Sequence, residues 1–382
     1  MILKNATVIT ESFVPEICDV EIIGEKIARV GKGLSSDEEI DMTGKTVFPG
    51  FIDVHIHGGV GMQIDDDEPD IEKFRLFEAT QGVTGIAMST ACTEWENILH
   101  QCDITVEATK ENVGSRILGI HSEAPFLSKK AKGAIPEEYI LPPDIEMFDE
   151  LNNRCNGLLK IITVAPEEAG ATELIRHAKK CGVVVSIGHT AATYEKAMLG
   201  IEAGITHATH TFNAMTGLHH RNPGAVGAVL TDQRVKCEAI CDHVHLHPAT
   251  VKLIYKMKGA DGMIAVSDSV KPAGLNIKEY YAEGRRCTVE NGVIRLPDGT
   301  INGSVCTLLH GVRNLIRAGI PLGDVAKITS YNAACELGVG HLVGSIAQGK
   351  YADLAVLDGE LNLDSTFIGG KCVYKRGDTL CI

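Results

Sequence analysis

Residues 48–57 read Phe48-Pro49-Gly50-Phe51-Ile52-Asp53-Val54-His55-Ile56-His57. The apolar run is that of a buried strand. The two histidines that close it stand two apart, so both leave the same face. Further apolar runs follow at 83–89, 117–121, 158–164, 183–188, 206–210, 235–240 and 263–266. Between them lie segments of helical periodicity, such as 171–180 and 193–203. Strand alternating with helix predicts parallel β/α units, and eight such units over about 300 residues fit a (β/α)8 TIM-like barrel. The rival is a doubly wound open sheet, but no G-x-G-x-x-G follows an early strand. The position of the polar residues separates the two folds. Glu123, His189, His210, His245 and Asp268 all stand near the ends of runs, as His55 and His57 do. A barrel gathers its C-terminal strand ends over one mouth, whereas an open sheet keeps most of them apart.

Outside this region both termini read as β. Segments 2–10 and 20–23 are apolar and β-branched, and a turn at 24–26 leads into 26–30. Near the other end, 353–357 and 367–374 are strand-like, with a turn at Asp358-Gly359 and an interruption at Gly369-Gly370. The expected organisation is a catalytic barrel over 48–345 and a small β-sandwich built from 1–47 and 346–382.

Composition narrows the class. The chain has 382 residues, of which 44% are hydrophobic and 23% charged, so it is ordinary for a globular protein rather than a disordered one. The net charge of −14 argues against binding nucleic acid through its phosphates. No apolar run reaches the roughly 18 residues of a membrane span. The N-terminus MILKNATVIT lacks the pattern of a signal peptide, so a cytoplasmic location is expected. Twelve cysteines are scattered with no C-x-x-C pair, which suits reduced thiols; Cys181, Cys237 and Cys306 lie in apolar segments and are expected to be buried.

The strand-end residues suggest a chemistry. Two imidazoles on one strand face can share a divalent ion. A carboxylate straight after an apolar run, as at Glu123, is costly to bury unless a metal or cation compensates it. Imidazole and carboxylate ligands suit zinc, iron or manganese. Asp268 could take a proton from attacking water and deliver it to a leaving group. His207, three residues before His210, cannot share its strand face.

These residues resemble a known family. The run Pro49 to Gly58, with a barrel set between β-forming termini, is similar to the amidohydrolase superfamily. Within it, the chain resembles the N-acetylglucosamine-6-phosphate deacetylase family through 119–126 (GIHSEAPF), 186–190 (SIGHT), 209–215 (THTFNAM), 220–224 (HRNPG), 242–245 (DHVH) and 299–304 (GTINGS). The resemblance implies that Glu123, His189 and His210 hold the principal metal. It implies that His55 and His57 bind a second one, as in some members, giving one or two divalent ions with zinc the default. Asp268 would be the general acid/base. Asn213, Ala214 and Arg221 would hold a sugar phosphate, with Arg221 reaching in from the second subunit of a homodimer. His245, Ile301, Asn302, Gly303 and the backbone of Ala134 would also face the substrate. Some amidohydrolases bridge two metals through a modified lysine at the end of strand four; here Lys160 lies at its start, and Glu123 can supply the anionic ligand instead.

The implied reaction is hydrolysis of the acetamide of a hexosamine 6-phosphate. The galactosamine epimer, another cyclic amide and an inactive scaffold are the alternatives; retention of Glu123, His189, His210 and Asp268 together speaks against the scaffold. Three residues depart from the family pattern. Ala124 replaces a glycine, and its methyl is expected to crowd the metal loop. Ser267 replaces a threonine. Ile135 stands where a histidine commonly polarises the carbonyl, so a second metal, His121 or another group takes over that task, or the substrate differs.

Overall fold

The computed structural model describes residues 1–282 and 284–377. The chain opens with β1 (Ile2–Ile9), β2 (Pro15–Ile23), β3 (Lys26–Gly31), β4 (Glu39–Asp41) and β5 (Thr46–Pro49). Eight strand–helix units follow. The first runs from β6 (Phe51–Ile56), through a small hairpin of β7 (Gly58–Gly59) and β8 (Met62–Gln63), to α1 (Ile71–Ala79). Next come β9 (Val83–Ser89) with α2 (Trp95–Ala108), β10 (Arg116–Ser122) with α3 (Ile145–Arg154), and β11 (Leu159–Val164) with α4 (Ala171–Lys180). Then come β12 (Val184–Ile187) with α5 (Tyr194–Ala203), β13 (His207–Ala208) with α6 (Gly224–Thr231), and β14 (Lys236–Ile240) with α7 (Pro248–Lys258). The last unit is β15 (Met263–Val266) with α8 (Leu308–Arg317). An antiparallel excursion, β16 (Glu279–Ala282), β17 (Arg285–Glu290), β18 (Val293–Arg295) and β19 (Ile301–Ser304), separates β15 from α8. Strands β20 (Leu354–Leu357), β21 (Leu363–Ile368) and β22 (Lys371–Lys375) end the described chain.

The eight strands of these units pair in parallel in the order β6-β9-β10-β11-β12-β13-β14-β15, which bears out the (β/α)8 expectation. The ends of this sheet meet without a ladder. Ser267 N donates to the Asp53 carboxylate at 3.1 Å, and Asp268 N donates to His55 O at 2.9 Å. Burial of Asp53 pushes its carboxyl up to about 7, against the hydrogen bonds that favour its charge. Helix starts follow the sequence chemistry: Asp70, Asp144 and Thr193 each accept from a backbone N–H of the first turn.

The terminal strands form one further sheet, ordered β22-β21-β20-β5-β1-β2-β3 with β4 on β1. It curls until its parts meet: Ile27 N donates to Lys350 O and Ala352 N to Glu25 O, both at 2.9 Å. Leu3, Val8, Val20, Ile27, Leu354, Val356 and Phe367 share its core. Here β2 begins five residues before the expected segment, its alternating charges having hidden it. The segment 367–374 falls in two strands, with Gly369 (φ 55°) and Gly370 (φ 73°) forming the turn between them. The sheet runs through Pro49, where Gly50 hands the chain to the barrel; a Cβ at Gly50 would lie 2.2 Å from Thr84 Oγ1, so only glycine fits. Cys237 and Cys306 are buried as expected, but Cys181 is exposed because it caps the outer helix α4.

Candidate active site

Each chemical side chain is presented by the end of a buried strand. His55 lies in β6 and His57 one residue beyond it, while Glu123 directly follows β10. His189, His210 and Asp268 each stand two residues past a strand, and all three have left-handed backbone, with φ of 43°, 28° and 51°. Such a conformation costs a non-glycine residue of order 1 kcal/mol. It bends the chain at the barrel mouth. Gly188 permits the approach of His189, since a Cβ there would lie 2.7 Å from Thr163 Cγ2.

These turns bring the side chains into two touching groups. In the first, Glu123 Oε1 lies 3.0 Å from His210 Nε2 and 3.3 Å from His189 Nε2, and the two nitrogens are 3.0 Å apart. In the second, His55 Nε2 and His57 Nε2 are 3.3 Å apart, and Asp268 Oδ1 lies 3.6 Å and 3.4 Å from them. Glu123 belongs to both, with Oε1 3.3 Å from His55 Nε2 and Oε2 3.3 Å from His57 Nε2. Separations of this size suit ligand atoms around a shared ion with bonds of about 2.0–2.2 Å. The outer nitrogens of His189 and His55 are tied down as ligand histidines require, whereas that of His210 is buried without a hydrogen-bond partner among the described residues. His189 Nδ1 donates to Ala131 O at 3.1 Å and His55 Nδ1 to Glu238 at 2.9 Å, leaving each Nε2 free to ligate. The donor set therefore fits one or two divalent ions. Lys160, by contrast, reaches back to Gly157 O, away from the mouth.

Charge is concentrated here. Burial alone would lower the pKa of His55 and His57. Glu238, Glu123 and Asp268 outweigh it at His55, holding it well above the usual histidine value, and Asp268 and Glu123 outweigh it at His57, holding it at about 9. Burial would likewise raise the carboxyls of Glu123 and Asp268, but the neighbouring imidazoles hold both below the ordinary range. A cation bound there would displace the protons that these carboxylates favour on His55 and His57.

The layer beneath was not legible in the sequence. Glu238, fully buried in β14, accepts from His55 Nδ1, from His207 Nε2 at 2.9 Å and from His210 N at 2.8 Å. The one available signal was an acid in the middle of a strand whose remaining residues, Lys236 apart, are apolar. His207 also faces Glu336 through Nδ1 at 3.2 Å; burial opposes its charge, but the two carboxylates raise it to about 9. His121 is a correction. Its Nδ1 lies 3.0 Å from Val54 O and its Nε2 2.9 Å from Thr163 Oγ1, and burial pushes it down to about 3. It lines no part of the mouth and cannot reach a carbonyl there.

Above the two groups lies a cavity of about 330 Å³, walled by His57, Glu123, His189, His210 and Asp268 together with Ala134, Asn213, Ala214, His245, Ile301, Asn302 and Gly303. His245 is held by Asp242, whose Oδ2 lies 2.8 Å from its Nδ1. The excursion carries Ile301, Asn302 and Gly303, and Asn302 Nδ2 donates to the Tyr280 hydroxyl at 3.2 Å. Arg221 is outside this cavity, on the exposed stretch 217–222, where Nη1 meets His220 Nε2 at 2.7 Å. Ala124 is not part of the cavity wall; its methyl is enclosed with Cys92, Leu127 and Ile140.

A (β/α)8 barrel with histidines closing its first strand and Glu, His, His and Asp on later ones defines a class of metal-dependent hydrolases. The chain belongs to the amidohydrolase family, whose model matches residues 46–377. It is 36% identical over 386 residues to the N-acetylglucosamine-6-phosphate deacetylase of Bacillus subtilis (strain 168), covering 98% of this chain and 97% of that one. It is 33% identical over 327 residues to an N-acetylgalactosamine-6-phosphate deacetylase of Escherichia coli O157:H7, covering 85% and 86%. Among solved structures, a mutant N-acetyl-D-glucosamine-6-phosphate deacetylase from Mycobacterium smegmatis in complex with N-acetyl-D-glucosamine-6-phosphate superposes with a TM-score of 0.92, at 29% identity over 98% of this chain and 99% of that one.

Proposed function

We infer that this chain hydrolyses the acetamide of N-acetyl-D-glucosamine 6-phosphate to D-glucosamine 6-phosphate and acetate, in amino-sugar catabolism. The observation that carries this reading is the convergence of Glu123, His189, His210, His55, His57 and Asp268 under one sugar-sized cavity, in a chain so similar to deacetylases of that substrate.

Glu123, His189 and His210 would hold one divalent ion, and His55, His57 and Asp268 a second, with zinc the default and iron or manganese able to replace it. Such an ion lowers the pKa of water towards 7 and polarises the amide carbonyl. Ionised Asp268 faces the cavity and can accept the proton of the attacking water and return it to the departing amine. His245, oriented by Asp242, and Asn302 present polar atoms to the sugar.

The phosphate needs a cation, and no Lys or Arg is among the described residues lining the cavity. Arg221 meets this need if a second subunit inserts its exposed 217–222 stretch beside Asn213 and Ala214. A guanidinium binds phosphate bidentately. The working enzyme would then be a cytoplasmic homodimer. Among the described residues no helix is long and apolar enough to cross a membrane.

The E. coli relative favours a second reading, the galactosamine epimer. The deciding experiment is acetate release from both epimers and from the unphosphorylated sugar, with Asp268→Asn as control. Turnover of the glucosamine compound that requires the phosphate and falls about 10²–10⁴-fold in the variant is expected. Faster turnover of the galactosamine compound would transfer the assignment to the epimer.

A further inference from the structure

Circling the barrel mouth in strand order divides the cavity into two arcs. Ala91 and Cys92 follow β9, and Ile135 and Pro136 lie in the loop after β10, so the arc of the second and third strands is apolar. Asn213 and His245 follow β13 and β14, and Asn302 lies in the excursion after β15, so the polar groups of the wall gather on the arc of the sixth to eighth strands, a polar arc that also holds Ala214, Val270 and Ile301. Glu123, which touches both histidine groups, lies where the apolar arc begins. The next residue, Ala124, is enclosed with Cys92, Leu127 and Ile140, and Ile135 packs on that same cluster while also facing the cavity.

A secondary amide is trans and planar, so its acyl carbon chain and its N-substituent leave the carbonyl in opposite directions. A substrate whose carbonyl lies at the Glu123 groups and whose sugar takes the polar arc must direct its acyl chain at the apolar arc. We propose that Ile135, with Ala91, forms the acyl subsite and sets the length of acyl group that the enzyme accepts. The proposal rests on the deacetylase reading above. It gives Ile135 a role of its own at a position where carbonyl polarisation by a side chain is impossible: an alkyl group there can only pack.

The test compares kcat/KM for N-acetyl-, N-propionyl- and N-butyryl-glucosamine 6-phosphate in the metal-loaded wild type, Ile135→Ala and Ala91→Val. One methylene against a fitted apolar wall is worth about tenfold or more. The wild type is expected to prefer acetyl over propionyl by at least that factor. Ile135→Ala should raise the butyryl-to-acetyl ratio about tenfold, and Ala91→Val should lower the propionyl-to-acetyl ratio. Because each ratio is taken within one protein, losses of folding or metal cancel from it. Turnover of the acetyl compound with ratios unchanged in both variants overturns the acyl subsite and leaves the deacetylase reading standing. No turnover of any of the three by the wild type overturns that reading, and the subsite with it.

Discussion

His55 donates its Nδ1 hydrogen to Oε2 of Glu238 across 2.9 Å, in a region where neither side chain is exposed. The same carboxylate oxygen accepts the backbone N–H of His210 at 2.8 Å. One buried acid thus orients a histidine of one metal-binding group and the backbone of a histidine in the other.

Glu238→Gln keeps the volume but removes the charge. Metal affinity is expected to fall by about 10- to 100-fold, the usual effect of losing such a supporting carboxylate. Competition with a chelator, read as bound metal per subunit, measures it. Wild-type affinity in a folded variant would mean that Glu238 only packs.

Metal uptake should expel protons. His57 is held at about 9, so in the metal-free protein it is protonated at neutral pH, whereas a ligating imidazole must be neutral. Affinity is therefore expected to rise with pH up to about 9, by up to tenfold per pH unit for each proton displaced. In the metal-free protein the sign for stability is the reverse: the contribution of His57 is full below the unfolded value near 6.5 and is lost as pH rises through 9. Calorimetric titration in buffers of different ionisation enthalpy counts the protons. Uptake at neutral pH without proton release would contradict the charge pattern described for His55 and His57.

Arg221 should act across a subunit boundary. Arg221→Ala and Asp268→Asn are each expected to be nearly inactive alone. Mixed and allowed to exchange, they should regain part of the activity, because some sites then combine an intact Asp268 with the partner's intact arginine. Proven exchange without recovery would place the phosphate-binding cation elsewhere.

The apolar runs and their polar ends were enough to read the barrel and to nominate the residues at its mouth. That works because a strand buried on both sides must be apolar, so a histidine or acid at its end stands out. The same logic concealed what lies inside the strands. Glu238, His207 and Asp53 sit where a linear reading expects core, and each is tolerated there by hydrogen bonds to residues distant in sequence. Ser267 N reaches the Asp53 carboxylate across 214 residues, and no spacing along the chain announces that meeting. Sequence by itself determined which side chains leave the ends of strands, since period and apolarity act locally. Only the tertiary structure decided that Glu123 touches both histidine groups, that His121 is sealed beneath them and that Ile135 faces the cavity. These depend on how eight strands close into a ring, and closure is set by packing between segments far apart in the chain.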